Sequence, residues 1–195
     1  MQTQITVSEA NYSLKDVLFV FALESESGQF FKNYNTCYTG IGKVRATFYL
    51  MDAIEKYQPK IIINLGSAGS HVYKKGQMVA CTKFIQRDMD LTPLGFPKYQ
   101  TPFCNDPIVL ENGLSYTGLE NATCGSGDQF ETQLEGSIYD VVDMEAFALA
   151  FVAKNKKIPF LSIKYITDGA NDDAIEDWNN EIIGVPEQFK NLFGL

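Results

Sequence analysis

Short apolar runs alternate along the chain with segments whose apolar positions recur at helical spacing. Four runs, Val17–Leu23, Ile61–Leu65, Met78–Ile85 and Pro159–Ile166, are rich in Val, Ile and Phe and predict buried strands, with a weaker strand over Thr36–Gly40. Ile61-Ile62-Ile63-Asn64-Leu65 is apolar at successive rather than alternate positions. That suits a strand covered on both faces, as in a parallel or mixed sheet between helices. Helical spacing over Lys43–Tyr57 puts Val44, Phe48, Met51, Ala53 and Ile54 near one face, and Pro59 closes the segment. A second helix, over Asp143–Asn155, carries Met144, Ala148, Phe151 and Val152, and its C-terminal lysines suit the helix dipole. A last helix follows Pro186. Strands alternating with helices predict a three-layer α/β fold with a mixed, mostly parallel twisted sheet flanked by helices. It is expected to form one domain over residues 1–195, with 1–16 as a peripheral N-terminal extension.

Composition narrows the partners. The 195 residues are 45% hydrophobic and 21% charged, with a formal net charge of -8. Such a surface repels phosphate backbones and anionic lipid, so nucleic acid and membranes are excluded as partners and a small neutral or zwitterionic molecule is favoured. Cys37, Cys81, Cys104 and Cys124 form no C-x-x-C pair, and His71 is the only histidine. Buried free thiols in a reducing compartment are therefore expected, with no metal site. The N-terminus has neither the basic start nor the cleavage site of a signal peptide, and no apolar run reaches membrane-spanning length. A cytoplasmic location is expected.

Three segments share a design in which an apolar strand ends in a polar turn: Phe21–Glu26, Ile63–Gly69 and Ile163–Asp168. Ligands gather beyond the carboxyl ends of strands in α/β sheets, so these ends can converge on one pocket. Singly, each is weak. Gly66-Ser67-Ala68-Gly69 lacks the spacing of a dinucleotide loop and the Lys of a P-loop, and serves equally well as a tight turn. Acids at Asp143 and Glu145 also suit an ordinary helix start. No Ser-His-acid triad can be assembled. The loop Thr92–Pro107, with Pro93, Pro97, Pro102 and Pro107, is long enough to suggest a role of its own.

Taken together, the segments are specific. Ala22-x-x-x-Glu26, Thr39–Val44, Ile62–Gly69, Gly76–Val79, Arg87–Thr92 with Gly95, Ser126–Phe130, Asp143–Ala146 and Ile166–Asp168 occur in the order and detail of one family. The chain resembles the nucleoside phosphorylase/nucleosidase superfamily, and within it the methylthioadenosine/S-adenosylhomocysteine nucleosidases. The likeness implies a phosphorylase/hydrolase-like fold and hydrolysis of the N-glycosidic bond of a purine nucleoside, without a cofactor. Asp168 would protonate the departing base at N7, which requires a raised pKa, and Glu26 would deprotonate the attacking water. Glu145 would accept the ribose hydroxyls and favour the positive charge developing on the sugar, with Met144 beneath it. Ser67 and Lys164 would hold the water; lysine stands where the family usually has arginine, as Asp143 does for a glutamate. Phe130 would stack on the base, and Ile41 and Trp178 would line the pocket. Glu131 could accept from an exocyclic amine or point to solvent. Leu91, Leu94 and Pro102 would cover the 5' substituent of a neighbouring site, which implies a homodimer. Related phosphorylases hold phosphate with arginines on the first two turns; Glu24-Ser25-Glu26 and Asn64 stand there instead, so the nucleophile is expected to be water. A nucleosidase for another adenosine derivative, of the futalosine type, and a nucleoside-binding protein without turnover are the alternatives.

Overall fold

The fold is taken from a computed structural model, which describes residues 3–131, 137–171 and 173–195. Strands β1 (Gln4–Val7) and β2 (Ala10–Ser13) form a separate antiparallel hairpin. Then follow β3 (Val17–Phe21), the single turn α1 (Glu24–Ser27), β4 (Thr36–Tyr38), α2 (Lys43–Tyr57), β5 (Ile61–Gly69) and β6 (Met78–Gln86). The second half comprises β7 (Leu110–Glu111), β8 (Glu120–Ser126), β9 (Val141–Asp143), α3 (Ala146–Lys156), β10 (Phe160–Asp168), α4 (Ala174–Glu181) and α5 (Val185–Phe193).

The α/β reading with a mixed sheet holds, but the sheet is not the open layer expected. β5 pairs with β10 in parallel, β10 with β6 antiparallel, β6 with β8 and β8 with β9 in parallel, and β9 returns to β5 through Gly69 opposite Val142. Five strands therefore close into a barrel, while β3 and β4 extend the sheet in parallel from β5. The closing strand β9 has only three residues, and Asp143 ends it rather than starting a helix; α3 begins at Ala146. Short strands leave little periodic signal, and their pairing is set by distant partners.

Apolarity on both faces of the central strands is used as expected. Leu18, Val20 and Ile62 pack with Ala46, Leu50 and Ala53 of α2 and Ala146, Leu149 and Ala153 of α3. Phe19, Phe21, Ile61, Ile63 and Leu65 face the opposite way, onto Phe189 and Phe193 of α5 and onto Ile5 and Val7 of the hairpin. The polar N-terminal stretch thus contributes Ile5, Val7 and Leu14 to the core. One face was misassigned. α2 has the expected bounds, but Val44 and Phe48 are 80% and 66% exposed, and its buried residues are the smaller Ala46 and Ala53 with Leu50. Among the described residues, no helix is long and apolar enough to cross a membrane.

Candidate active site

The carboxyl ends of β3, β5, β9 and β10 meet around a cavity of about 230 Å³. Glu26, Ser67, Glu145, Asp168, Met144 and Trp178 all line it, as do Ile41, Phe130 and Glu131. Lys164 lies behind the wall. Leu91, Leu94 and Pro102 do not line this chain's cavity; Leu94 and Pro102 lie on the Thr92–Pro107 loop and Leu91 immediately precedes it, and Leu94 is 72% exposed.

Glu26 is placed by the tight turn after β3. Its Oε2 accepts from the backbone N–H groups of Ala22 (3.1 Å) and Leu23 (3.0 Å), and its Oε1 accepts from Ser67 N (2.9 Å) and Ser67 Oγ (3.0 Å). Trp178 Nε1 donates to Ser67 Oγ at 3.0 Å. An indole N–H can only donate, so the Ser67 hydroxyl accepts from Trp178 and sends its own proton to Glu26. The orientation of that hydroxyl is thereby fixed.

Glu145 is buried, and its Oε1 accepts from Gly42 N at 2.8 Å. Gly42 has φ 97°, and a Cβ there would lie 3.2 Å from Asp128 Oδ1, so the turn that presents this N–H needs glycine. Lys43 ties the turn down through ion pairs to Asp88 (2.6 Å) and Asp128 (2.9 Å). Burial, then the negative charge of Asp143, push the Glu145 carboxyl up to about 8, although Lys164 and the Gly42 N–H pull the other way.

Asp168 ends β10. Its Oδ1 accepts from Ala170 N (2.9 Å) and its Oδ2 from Thr167 Oγ1 (2.8 Å). Burial raises its carboxyl above the ordinary range despite these two donors. A raised acid is what a proton donor near neutral pH requires. A Cβ on Gly69 would come within 2.5 Å of Asp168 Oδ1, so the barrel seam must be glycine there for the acid to approach it.

Lys164 is 2% exposed and pairs with Asp143 Oδ2 at 2.8 Å. Burial, the largest single influence, would lower the ammonium's pKa, but the Asp143 charge and hydrogen bond together with the charges of Cys124 and Glu145 outweigh it and the value is raised; in turn, Lys164, with the Ser126 and Ala146 hydrogen bonds, holds Asp143 below its usual value against the effect of burial. A feature that sequence reasoning left without a role is Arg87, at the end of β6. Its buried guanidinium lines the cavity, pairs with Glu131 Oε2 at 3.0 Å and donates to the carbonyls of Gly127 and Gln129. It thus braces the segment that carries Phe130, and Glu131 turns inward to meet it. Its position just past an apolar strand, next to Asp88, was the available signal.

The profile of the phosphorylase superfamily matches residues 27–192. The 5'-methylthioadenosine/S-adenosylhomocysteine nucleosidase of Shewanella piezotolerans is 31% identical, with 74% of this chain and 72% of that protein covered. The nucleosidase of that name from Buchnera aphidicola is 32% identical, with 74% and 70% covered. Among solved structures, futalosine hydrolase of Helicobacter pylori superposes with a TM-score of 0.82 at 18% identity, covering 93% of this chain and 96% of that one. The Helicobacter pylori 5'-methylthioadenosine/S-adenosylhomocysteine nucleosidase superposes with a TM-score of 0.79 at 18% identity, covering 93% and 98%. These superpositions show the shared fold. By sequence, with the acids of its motifs gathered at one cavity, the chain belongs to the phosphorylase superfamily, in the family of the 5'-methylthioadenosine/S-adenosylhomocysteine nucleosidases.

Proposed function

We propose that this protein is a purine nucleosidase that hydrolyses the N-glycosidic bond of 5'-methylthioadenosine or S-adenosylhomocysteine, releasing adenine and the thioribose product. The observation that carries this reading is the convergence of Glu26, Glu145 and Asp168, from distant parts of the chain, on one nucleoside-sized cavity. Asp168, with its raised carboxyl, protonates the leaving base. Glu26 takes the proton of a water that Ser67 and Lys164 help to hold, Glu145 binds the ribose hydroxyls above Met144, and Phe130 covers the base. Among the described residues lining the cavity, Arg87 is the one cationic side chain, and it is already paired with Glu131. That arrangement suits water as nucleophile better than phosphate.

The working unit is a cytoplasmic homodimer in this reading. Val44, Phe48 and Met51 form an outward apolar stripe on α2, continued by Phe151 and by Ile41 at the cavity mouth. A second copy would cover that stripe and bring its Leu91, Leu94 and Pro102 over the 5' end of the substrate. A second reading, a nucleosidase for a bulkier futalosine-type nucleoside, is favoured by the half-exposed Ile41 at a mouth that the chain's own loop does not close.

A panel of methylthioadenosine, S-adenosylhomocysteine, futalosine, adenosine and inosine, with and without phosphate, tests these readings by free-base release. Fastest release of adenine from the thioethers, independent of phosphate and lost in Asp168→Asn, is expected. Preferred turnover of futalosine selects the second reading. Phosphate-dependent release, or tight nucleoside binding with no release at all, overturns hydrolysis. Light scattering should give twice the mass of one chain.

A further inference from the structure

The mechanism leaves one buried acid of the cavity without a task. Asp143 accepts from Lys164 Nζ (2.8 Å) and Ala146 N (2.8 Å) at Oδ2, and from Ser126 Oγ (2.5 Å) and Cys124 Sγ (3.3 Å) at Oδ1. β9 and β10 are not neighbours in the barrel, because β5 lies between them. The Asp143–Lys164 pair therefore crosses the barrel interior. It does so beside Gly66, where a Cβ would lie 3.2 Å from Lys164 Nζ and 3.3 Å from Glu26 Oε1. The glycine lets the ammonium and the Glu26 carboxylate approach the same point. Taking two charges out of water commonly costs as much as their pairing returns, so core stability is a poor reason for this pair.

We propose that Asp143 is a positioning residue: it holds the Lys164 ammonium behind Glu26 and Ser67 and, through Ala146 N and the Met144–Glu145 turn, sets Glu145 in register with it. The proposal rests on the nucleosidase reading. It couples the water side of the site to the ribose side through one carboxylate. The charged groups facing Glu145 are Asp143 on its own turn, Lys164 on β10 and Glu26 on α1, with the Gly42 N–H from the turn before α2. Asp143 and Glu26 oppose ionisation of Glu145, and Lys164 favours it. In Asp143→Asn the attraction of Lys164 is no longer offset by Asp143, so Glu145 ionises at lower pH.

The experiment measures kcat, KM and kcat/KM against pH for the wild type, Asp143→Asn and Asp143→Glu, with the nucleoside the wild type turns over best. Asp143→Asn should lower kcat about 100-fold through misplacement of the water and ribose groups, with KM within about threefold. The rising limb of kcat/KM should move toward acid by about half a unit or more. Asp143→Glu keeps the charge and should leave the limb in place. A purely structural role would lower the rate equally at all pH values, and that result overturns the proposal. Melting temperatures of the ligand-free proteins over the same pH range read the coupling independently of turnover. The loss of stability that follows Glu145 sets in near its ordinary 4.5 in both proteins, but it should level off at lower pH and with a smaller total in Asp143→Asn; an unshifted upper end also overturns the proposal. Absence of turnover in the wild type defeats the nucleosidase reading and leaves the melting series to decide. If Asp143→Asn does not fold, Ser126→Ala loosens the same carboxylate; kcat down about tenfold at constant KM supports the proposal, and unchanged kcat overturns it.

Discussion

Replacing Glu26 with glutamine separates the chemistry of this side chain from its scaffolding. The carboxylate accepts four hydrogen bonds, two on each oxygen. A glutamine carbonyl can serve one pair only. The rigid backbone donors of Ala22 and Leu23 will keep it, which turns the amide NH2 toward Ser67. The Ser67 hydroxyl can reverse and accept, but Ser67 N is left facing a donor. One orphaned buried N–H costs about 1–3 kcal/mol, and losing the charge on the remaining bonds adds roughly 1 kcal/mol. At about 2–4 °C per kcal/mol for a chain of this length, Tm should fall by roughly 5–15 °C. Loss of a general base should lower kcat by about 10²–10⁴-fold, with KM changed little. Calorimetry and adenine release read the two effects separately. A variant that melts as expected yet keeps kcat within fivefold of the wild type, a margin of roughly 1 kcal/mol, would refute the assignment of Glu26 as base.

Two further outcomes follow from the same geometry. Glu145 has a folded value of about 8 against an ordinary 4.5, so burial in the protonated form supports the fold below 4.5. That support is lost as pH rises through about 8; Glu145→Gln, which cannot ionise, should melt several degrees above the wild type at alkaline pH and no higher in acid, while losing most activity. Gly69→Ala puts a methyl 2.5 Å from the present position of Asp168 Oδ1. Displacing the acid should lower kcat about 100-fold at nearly constant nucleoside affinity, and normal turnover would show that Asp168 has room to spare.

What could be read from the chain depended on how local the cause was. The two-faced burial of Ile61–Leu65 follows from its unbroken apolarity, and the bounds of α2 follow from the breakers around it. Which side of α2 is buried did not follow, because Val44, Phe48 and Met51 are as apolar as a core face and hydrophobicity alone does not separate a core from an outward stripe. Closure of the barrel escaped detection because it depends on β9, three residues that meet strands far away in sequence. β8 reads Glu-Asn-Ala-Thr-Cys-Gly-Ser and has no apolar run to betray it. In the site, the acids were visible as motif positions, and the structure brings them together. The pairings that orient them were not: Trp178 with Ser67 spans 111 positions and Gly42 with Glu145 spans 103, distances over which no periodicity speaks.

The chain contains a single tryptophan, and its indole N–H ends on the hydroxyl beside Glu26. Its emission is consequently a label placed in the cavity wall, with no other indole to dilute the signal. Occupation of the cavity changes both the polarity around that ring and its hydrogen bond. Stopped-flow fluorescence can therefore time ligand arrival and product departure in unmodified protein.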